Sequence, residues 1–270
     1  MSNLAGIGEI SVIRRLSRIL HSETSVRTGI GDDCAVVGLG KNCGLDLLLT
    51  SDPVVEGIHF LPSAQPELIG RKIIGRVLSD IAAMGGAPKW ALIDVSAPRN
   101  MQMRRLERIY AGAEKMARKY CVSIVGGDTS SGPALQLHAF AVGTVPRGKA
   151  LLRSGAKPGD IIYVTGSLGG SIHGKHLSFE PRLKEGRWLL EWATSMIDLS
   201  DGLVSDLKHI TEMSHAGAMI DLDSIPVSKD AISISDRHSP VSRALYDGED
   251  FELLFTVPAL KEKKFISSWK

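Results

Sequence analysis

One helical stretch constrains this chain more than any other, because an acidic residue lies beside its apolar stripe. An isoleucine or valine recurs at every fourth position, at Ile69, Ile73, Val77 and Ile81. This spacing predicts a helix that begins near Pro66, ends before Gly86 and packs on a core. Asp80 projects onto the edge of the buried stripe, away from Lys72, Arg76 and Ser79, which we expect on the polar face. A carboxylate held there needs a cation, a metal ion or hydrogen bonds, since burying it alone costs several kcal/mol.

Further aspartates stand in small-residue junctions like the one that holds Asp80. They are Asp32, Asp33, Asp52, Asp128, Asp198 and Asp201. Several of them directly follow strand-like apolar runs, such as Leu45 to Thr50 before Asp52 and Cys121 to Val125 before Asp128. Open α/β structures bind their ligands where strands end, so we expect these carboxylates to form a site.

Each of these residues also has a structural interpretation. Ser200 or Asp201 can cap a helix that begins near Leu203, and a buried Asp80 can be satisfied by hydrogen bonds alone. Pro53 predicts that the preceding strand stops in a loop. A lone histidine such as His59 is more often structural than catalytic. The residues by themselves leave both interpretations open.

Composition narrows the class of partner. The net charge of +2 and the 5% aromatic content provide no basic face with stacking aromatics, which argues against nucleic acid. The apolar runs are too short to span a bilayer and no signal-peptide core is present, so we expect a cytoplasmic protein that does not bind membranes. The three cysteines form no C-x-x-C pair, which argues against a disulfide framework and a thiolate zinc site.

A glycine-rich stretch imitates a phosphate-binding loop. Gly169 to Lys175 satisfies G-x-x-x-x-G-K, but His176 follows where a P-loop requires serine or threonine. We therefore predict no P-loop. Carboxylate and hydroxyl oxygens without a His/Cys ligand set favour Mg²⁺ over Ca²⁺ or Zn²⁺. Such a site, together with Arg153, would suit phosphoryl transfer.

A domain boundary is predicted after residue 146, where Gly, Pro and basic residues cluster from Pro146 to Pro158. A charged linker would look the same. The two predicted domains are residues 1–146, for ATP and Mg²⁺ binding and dimerisation, and residues 147–270.

Seven motifs, taken together, resemble thiamine-monophosphate kinase. They are Gly31 to Ala35, Ser51 to Phe60, Ser79 to Gly85, Gly126 to Thr129, Arg153 to Asp160, Ile197 to Leu203 and Gly248 to Leu253. The resemblance runs in order across nearly the whole chain. It implies an α/β (α+β) chain with a two-domain aminoimidazole ribonucleotide synthetase-like fold, whose N-terminal sheets form a barrel across a homodimer. It also implies transfer of the γ-phosphoryl group of ATP onto thiamine monophosphate, giving thiamine diphosphate.

The resemblance assigns roles to individual residues. The matches to the family's ligands for several Mg²⁺ ions are Asp33, Thr50, Ser51, Asp52, Asp80, Asp128, Asp198 and Asp201. The matches to its nucleotide contacts are Tyr110, Gly127, Asp128, Arg153 and Ser200, and the matches to its substrate contacts are His59 and Glu249. Asp80, Asp128, Arg153 and Asp201 are expected to act in catalysis, and no residue stands out as a general base.

Two departures from the family pattern bear on function. The segment from Gly170 to Arg187 is shorter than in many relatives, and the family continues beyond Trp269 with an aromatic substrate contact. We therefore expect a C-terminal α/β domain that is shortened at its end. The alternative function is a noncatalytic dimer that binds ATP or thiamine phosphate. A selenophosphate synthetase would share the aspartates, but nothing here matches its reactive Cys or selenocysteine.

Overall fold

The computed structural model describes residues 8–40 and 42–269, and for residues 9 and 10 it describes the backbone alone. The α-helices are α1 Glu9–Ser17, α2 Pro66–Ala83, α3 Met103–Lys119, α4 Lys175–Ser178, α5 Leu183–Leu189, α6 Leu203–Ser214, α7 Lys229–Ser233, α8 Pro240–Tyr246 and α9 Glu262–Ser268. The strands are β1 Val26–Thr28, β2 Ala35–Gly38, β3 Leu45–Val55, β4 Ala87–Ala97, β5 Ser123–Gly126, β6 Thr129–Ser131, β7 Gln136–Pro146, β8 Asp160–Val164, β9 Ser195–Asp198 and β10 Leu253–Pro258. None of these helices is long and apolar enough to cross a membrane.

The strands form two sheets, which gives the mixed α/β chain that the sequence predicts. The larger sheet has the order β1-β2-β3-β7-β4-β5, with β6 also paired to β4. Its pairs are antiparallel except that β5 and β6 run parallel to β4. The smaller sheet has the antiparallel order β8-β10-β9.

Helix α2 lies at the centre of the molecule and begins with Pro66 in its first turn, as predicted. The expectation that Lys72 and Ser79 lie on a polar face is wrong, because they are 0% and 1% exposed. The larger sheet and α3 contact one side of α2, while α4, α5 and β9 contact it from the C-terminal half of the chain. A helix covered from both sides has no solvent face.

Two glycines set how closely α2 and α3 approach each other. A Cβ added at Gly70 would lie 1.8 Å from the carbonyl oxygen of Ile109, and one added at Gly112 would lie 2.0 Å from that of Glu67. The two backbones therefore meet at positions where no side chain fits.

Two local predictions fail for identifiable reasons. Strand β3 continues through Pro53, which pairs with His138 of β7. On its other side the ladder with β2 ends at Leu49, so a proline here interrupts no ladder on that side. Helix α6 has Gly202 as its N-cap residue and no side-chain cap, so neither Ser200 nor Asp201 caps it.

The hydrophobic core extends across the predicted boundary at residue 146. One cluster joins Leu48 and Ile81 to Leu189 and Phe255. A smaller cluster, which includes Ile197, packs under α6 and α8. Residues 1–7, 41 and 270 of the two predicted domains lie outside the described residues.

One face of the larger sheet is exposed and carries several large apolar side chains. Buried and exposed residues alternate along β4 and β7, as expected for a sheet covered by helices on one face. On the other face Trp90 is 49% exposed, and Leu92 and Phe140 are each 37% exposed. A contiguous apolar surface of this kind marks an interaction face more often than plain solvent-exposed surface.

Replacing Gly70 with alanine is expected to destabilise the protein by about 1–3 kcal/mol, because the new methyl group forces α2 and α3 apart. The measurement is urea unfolding followed by circular dichroism. Gly217→Ala is the control, since a Cβ there meets nothing within 4 Å. Equal stabilities for the two variants would contradict the close approach of the helices.

Candidate active site

A cleft of about 910 Å³ opens where β3, the end of α2 and the segment after β9 meet. The predicted site residues that line it are Asp33, Thr50, Ser51, Asp52, Asp80, Arg153, Asp198, Ser200 and Asp201. These residues come from segments far apart in sequence. The cleft therefore unites aspartates from both halves of the chain, as expected for one site.

Three carboxyl groups in the cleft share an unfavourable environment. Burial, with Asp32 and Asp52 nearby, raises the pKa of Asp33 to about 6 against the opposing charge of Arg153. Burial, with the charge of Asp33, raises the pKa of Asp198 to about 7. The pKa of Asp80 is raised well above its usual value by burial and by the neighbouring carboxylates. Ionising all three therefore requires a compensating cation.

Local hydrogen bonds hold these carboxyl groups in place. The Thr50 hydroxyl donates to Asp80, and the Ser79 hydroxyl donates to Oδ2 of Asp198 at 2.6 Å. Nη2 of Arg153 donates to Oδ1 of Asp33 at 2.6 Å. The other oxygen of Asp33, Oδ2, is buried without a hydrogen-bond partner. An orphaned carboxylate oxygen among acidic neighbours fits a site for a hard cation such as Mg²⁺.

Arg76 connects this cleft to a second group of residues. Its Nε and Nη2 donate to the two oxygens of Asp52 at 2.9 and 3.1 Å. Its Nη1 lies 3.4 Å from Oε1 of Glu249. The guanidinium group therefore neutralises Asp52, a predicted metal ligand, and also contacts Glu249, a predicted substrate residue.

The second group, which we call the Lys72 cluster, consists of Lys72, His59, His176 and Glu249. Nζ of Lys72 donates to the carbonyl oxygen of His59 at 2.7 Å and to both oxygens of Glu249 at 2.7 and 2.8 Å. Burial lowers the pKa of Lys72, and the attraction of Glu249 opposes that shift. The two predicted substrate residues thus meet at one ammonium group.

Three predicted nucleotide residues lie elsewhere in the chain. Tyr110, Gly127 and Asp128 do not line the cleft. Asp128 is exposed between β5 and β6, and its backbone N–H donates to Asp94 at 2.8 Å. The Tyr110 hydroxyl contacts the carbonyl oxygen of Ile93 at 3.4 Å. Within a single chain the predicted nucleotide contacts therefore form two separate groups.

Sequence reasoning missed several charged residues at this site. Asp206 and His209 of α6 lie close to Asp201. One potential ligand atom from each of the three residues is within 4.8 Å of the other two, so together they could hold a metal ion. Burial, with the charges of Asp198 and Asp201, raises the pKa of Asp206 to about 8. The signal was present, because Asp206 falls on the apolar stripe between Leu203 and Ile210.

Comparison with known proteins identifies the family. The chain is 40% identical over 282 residues to the thiamine-monophosphate kinase of Escherichia coli, an alignment that covers 94% of this chain and 83% of that one. The chain belongs to the thiamine-monophosphate kinase family. The family's member from Aquifex aeolicus is 33% identical over 285 residues, covering 97% of this chain and 90% of the relative. The resemblance predicted from the motifs is therefore confirmed.

Structural comparison agrees with this family assignment. The solved structure of AaThiL complexed with AMPPCP and TMP is 32% identical, has a TM-score of 0.88, and covers 100% of this chain and 89% of that one. The family described as AIR synthase related protein, N-terminal domain, matches residues 31–145. These matches confirm the predicted α/β, aminoimidazole ribonucleotide synthetase-like fold for this thiamine-monophosphate kinase family member, and the barrel across a homodimer stays a prediction.

Without Mg²⁺, the protein is expected to lose stability as the pH rises from about 4 to about 7. An acid whose pKa is higher in the folded state stabilises the fold fully below its unfolded pKa, and that stabilisation is lost as the pH rises through the folded value. The window follows from the raised values of about 6 for Asp33 and about 7 for Asp198. Differential scanning calorimetry should show Tm falling by roughly 5 °C across it.

Asp198→Asn should flatten this pH dependence and raise Tm at pH 8 in the absence of metal. Added Mg²⁺ should stabilise the wild type more than the variant, because a ligand of the folded state raises Tm. The control is Asp230→Asn, at an exposed position on α7. A wild-type Tm that stays constant over the window would contradict the burial of uncompensated carboxyl groups.

Proposed function

We propose that this protein phosphorylates thiamine monophosphate to thiamine diphosphate with ATP as the phosphoryl donor. The observation that carries the proposal is the cleft in which the family's aspartates gather with Arg153. The relatives with the same motifs are named thiamine-monophosphate kinases. AaThiL, which was solved with AMPPCP and TMP, supports a nucleotide and a thiamine phosphate as the two ligands.

Mg²⁺ is the proposed metal, and the residues present fit it. Asp33, Thr50, Ser51, Asp52, Asp80, Asp198 and Asp201 would hold the ions with their oxygens. When bound, Mg²⁺ would neutralise phosphate oxygens during in-line transfer. Asp52 is paired with Arg76, so binding of an ion by this carboxylate would require the guanidinium to move or to share it.

The chain's own residues would position the two substrates. Arg153, which is paired with Asp33, and Ser200 would contact the nucleotide, with Asp80 and Asp201 beside the reacting phosphates. His59 and Glu249 would contact the thiamine phosphate. A general base is unnecessary, because the phosphate acceptor is already anionic near neutral pH.

A homodimer would bring the separated nucleotide residues together. The exposed apolar face around Trp90, Leu92 and Phe140 supports pairing of the larger sheets into a barrel across a two-fold axis. Tyr110, Gly127 and Asp128 would then face the cleft of the second copy. The division into residues 1–146 and 147–270 remains part of this proposal, with dimerisation assigned to the first domain.

The proposed reaction predicts that the purified protein converts thiamine monophosphate to thiamine diphosphate when supplied with ATP and Mg²⁺. Asp80→Asn should lower kcat by at least about a hundred-fold, because it removes a charge that holds the metal at the reacting phosphates. Product is measured by chromatography, and nucleotide binding by calorimetry. Binding of ATP and thiamine monophosphate without product would reject the kinase and favour the noncatalytic alternative.

The shared site predicts complementation between two inactive variants. Asp80→Asn and Asp128→Asn should each be inactive alone, yet a co-refolded equal mixture should recover about a quarter of wild-type activity, because half the dimers then carry one intact site. Mixing Asp80→Asn with Asp201→Asn is the control, since both residues line the cleft of one chain. Recovery in the control alone, or in neither mixture, would contradict an active site completed by the second copy.

A further inference from the structure

Lys72 is a fully buried lysine on the central helix, and its partners account for all three of its N–H groups. Its ammonium nitrogen lies 2.7 Å from the carbonyl oxygen of His59, 2.7 Å from the nearer oxygen of Glu249 and 3.0 Å from Nδ1 of His176. An ammonium group has three donors and no acceptor. Each donor can therefore be satisfied by one partner, which is the condition for keeping a charge inside a protein.

These partners come from three distant parts of the chain. His59 follows β3, His176 belongs to α4, and Glu249 lies in the turn before β10. Among the described residues, no other side chain is bonded to both His59 and Glu249. Lys72 therefore fixes the relative positions of the two residues that the family assigns to substrate contact.

The hydrogen bonds of His59 determine which atom it presents outward. The backbone N–H of Val55 donates to its Nδ1 at 3.0 Å, which leaves the ring proton on Nε2. Burial, with the charge of Arg76, lowers the pKa of His59, so the ring is neutral near pH 7. His59 thus offers an N–H donor at Nε2, and Lys72 holds the backbone that carries it.

Glu249 is held in an unusual backbone conformation. Its φ of 64° lies in the left-handed region, which non-glycine residues adopt at a cost. Its backbone N–H donates to the carbonyl oxygen of Ser200 at 2.8 Å, and Lys72 donates hydrogen bonds to its carboxylate. The turn is therefore fixed at both its backbone and its side chain.

We propose that Lys72 is a positioning residue for the acceptor substrate. Lys72 binds both the His59 carbonyl and the Glu249 carboxylate. It therefore sets the separation between the Nε2–H group of His59 and the carboxylate of Glu249, the two groups that would contact the thiamine phosphate. Nδ1 of His176 lies 3.0 Å from Nζ of Lys72 and 3.1 Å from Oε2 of Glu249, so His176 contacts both members of the Lys72–Glu249 pair. This inference rests on the proposed function for the identity of the acceptor.

A positioning role and a purely structural ion pair predict different results for Lys72→Met. Methionine keeps the length of the side chain and removes its charge and donors. Positioning predicts that KM and the calorimetric Kd for thiamine monophosphate rise by at least about ten-fold, while KM for ATP stays within about two-fold. A structural pair predicts a lower Tm with both KM values unchanged, and that result would overturn the inference, as would equal increases in both KM values.

Three further variants control this test. Lys184→Met, at an exposed position on α5, should leave every parameter unchanged. His176→Asn places an oxygen near the position of Nδ1 and should keep KM for thiamine monophosphate within about two-fold of wild type. His176→Leu removes the contacts of Nδ1 with Nζ of Lys72 and with Oε2 of Glu249, and it should raise that KM. If Lys72→Met fails to fold, this pair decides the question, and equal KM values for the two histidine variants would reject the inference.

The binding measurement separates this inference from the proposed function. If the wild type binds thiamine monophosphate without converting it, the proposed reaction fails, but the Kd series still tests Lys72. If the wild type turns over thiamine monophosphate and Lys72→Met matches it, the inference alone fails. If the wild type neither binds nor converts thiamine monophosphate, both are rejected.

Discussion

Charge buried along one helix is the constraint on which the rest of this structure depends. Helix α2 is enclosed by the sheet on one side and by the C-terminal half on the other, yet it carries Lys72 and Asp80. Buried charges persist only where partners compensate them. Their partners are Thr50 of β3, the backbone of His59, His176 of α4 and Glu249. The packing of the two halves of the chain therefore also assembles the site.

The sequence was sufficient for the features that depend on local periodicity and for the family. The four-residue spacing of Ile69 to Ile81 located α2, and the position of Asp80 beside that stripe indicated a site. Hydrophobic periodicity identifies only the face of a helix that packs against the first neighbouring layer of the structure. The burial of Lys72 depends on α4 and α5, which lie over 90 residues further on and form the second layer. The strand through Pro53 likewise depends on where β2 ends, which no local pattern records.

The candidate site was predictable as a set of residues but not as a geometry. Aspartates at predicted strand exits and helix ends were expected to converge, and Asp33, Asp52, Asp80, Asp198 and Asp201 do so. Asp128 also follows a strand, but the strands on either side of it, β5 and β6, pair with β4. Strand β7 lies between β4 and β3. Sequence shows that a strand ends in a carboxylate. It does not show at which end of which sheet that carboxylate lies.

The glycine contact between α2 and α3 has a consequence for how the cleft at Asp80 and the Lys72 cluster keep their relative positions. Asp80 and Lys72 are eight residues apart on one continuous helix, a distance of about 12 Å along its axis. Because Gly70 and Gly112 allow backbone-to-backbone contact, α3 anchors that helix near the end where Lys72 lies. Any small displacement of α2 then shifts Asp80 in the cleft and the Lys72 cluster together. The helix acts as a spacer whose length is set by backbone hydrogen bonds and is insensitive to its surroundings.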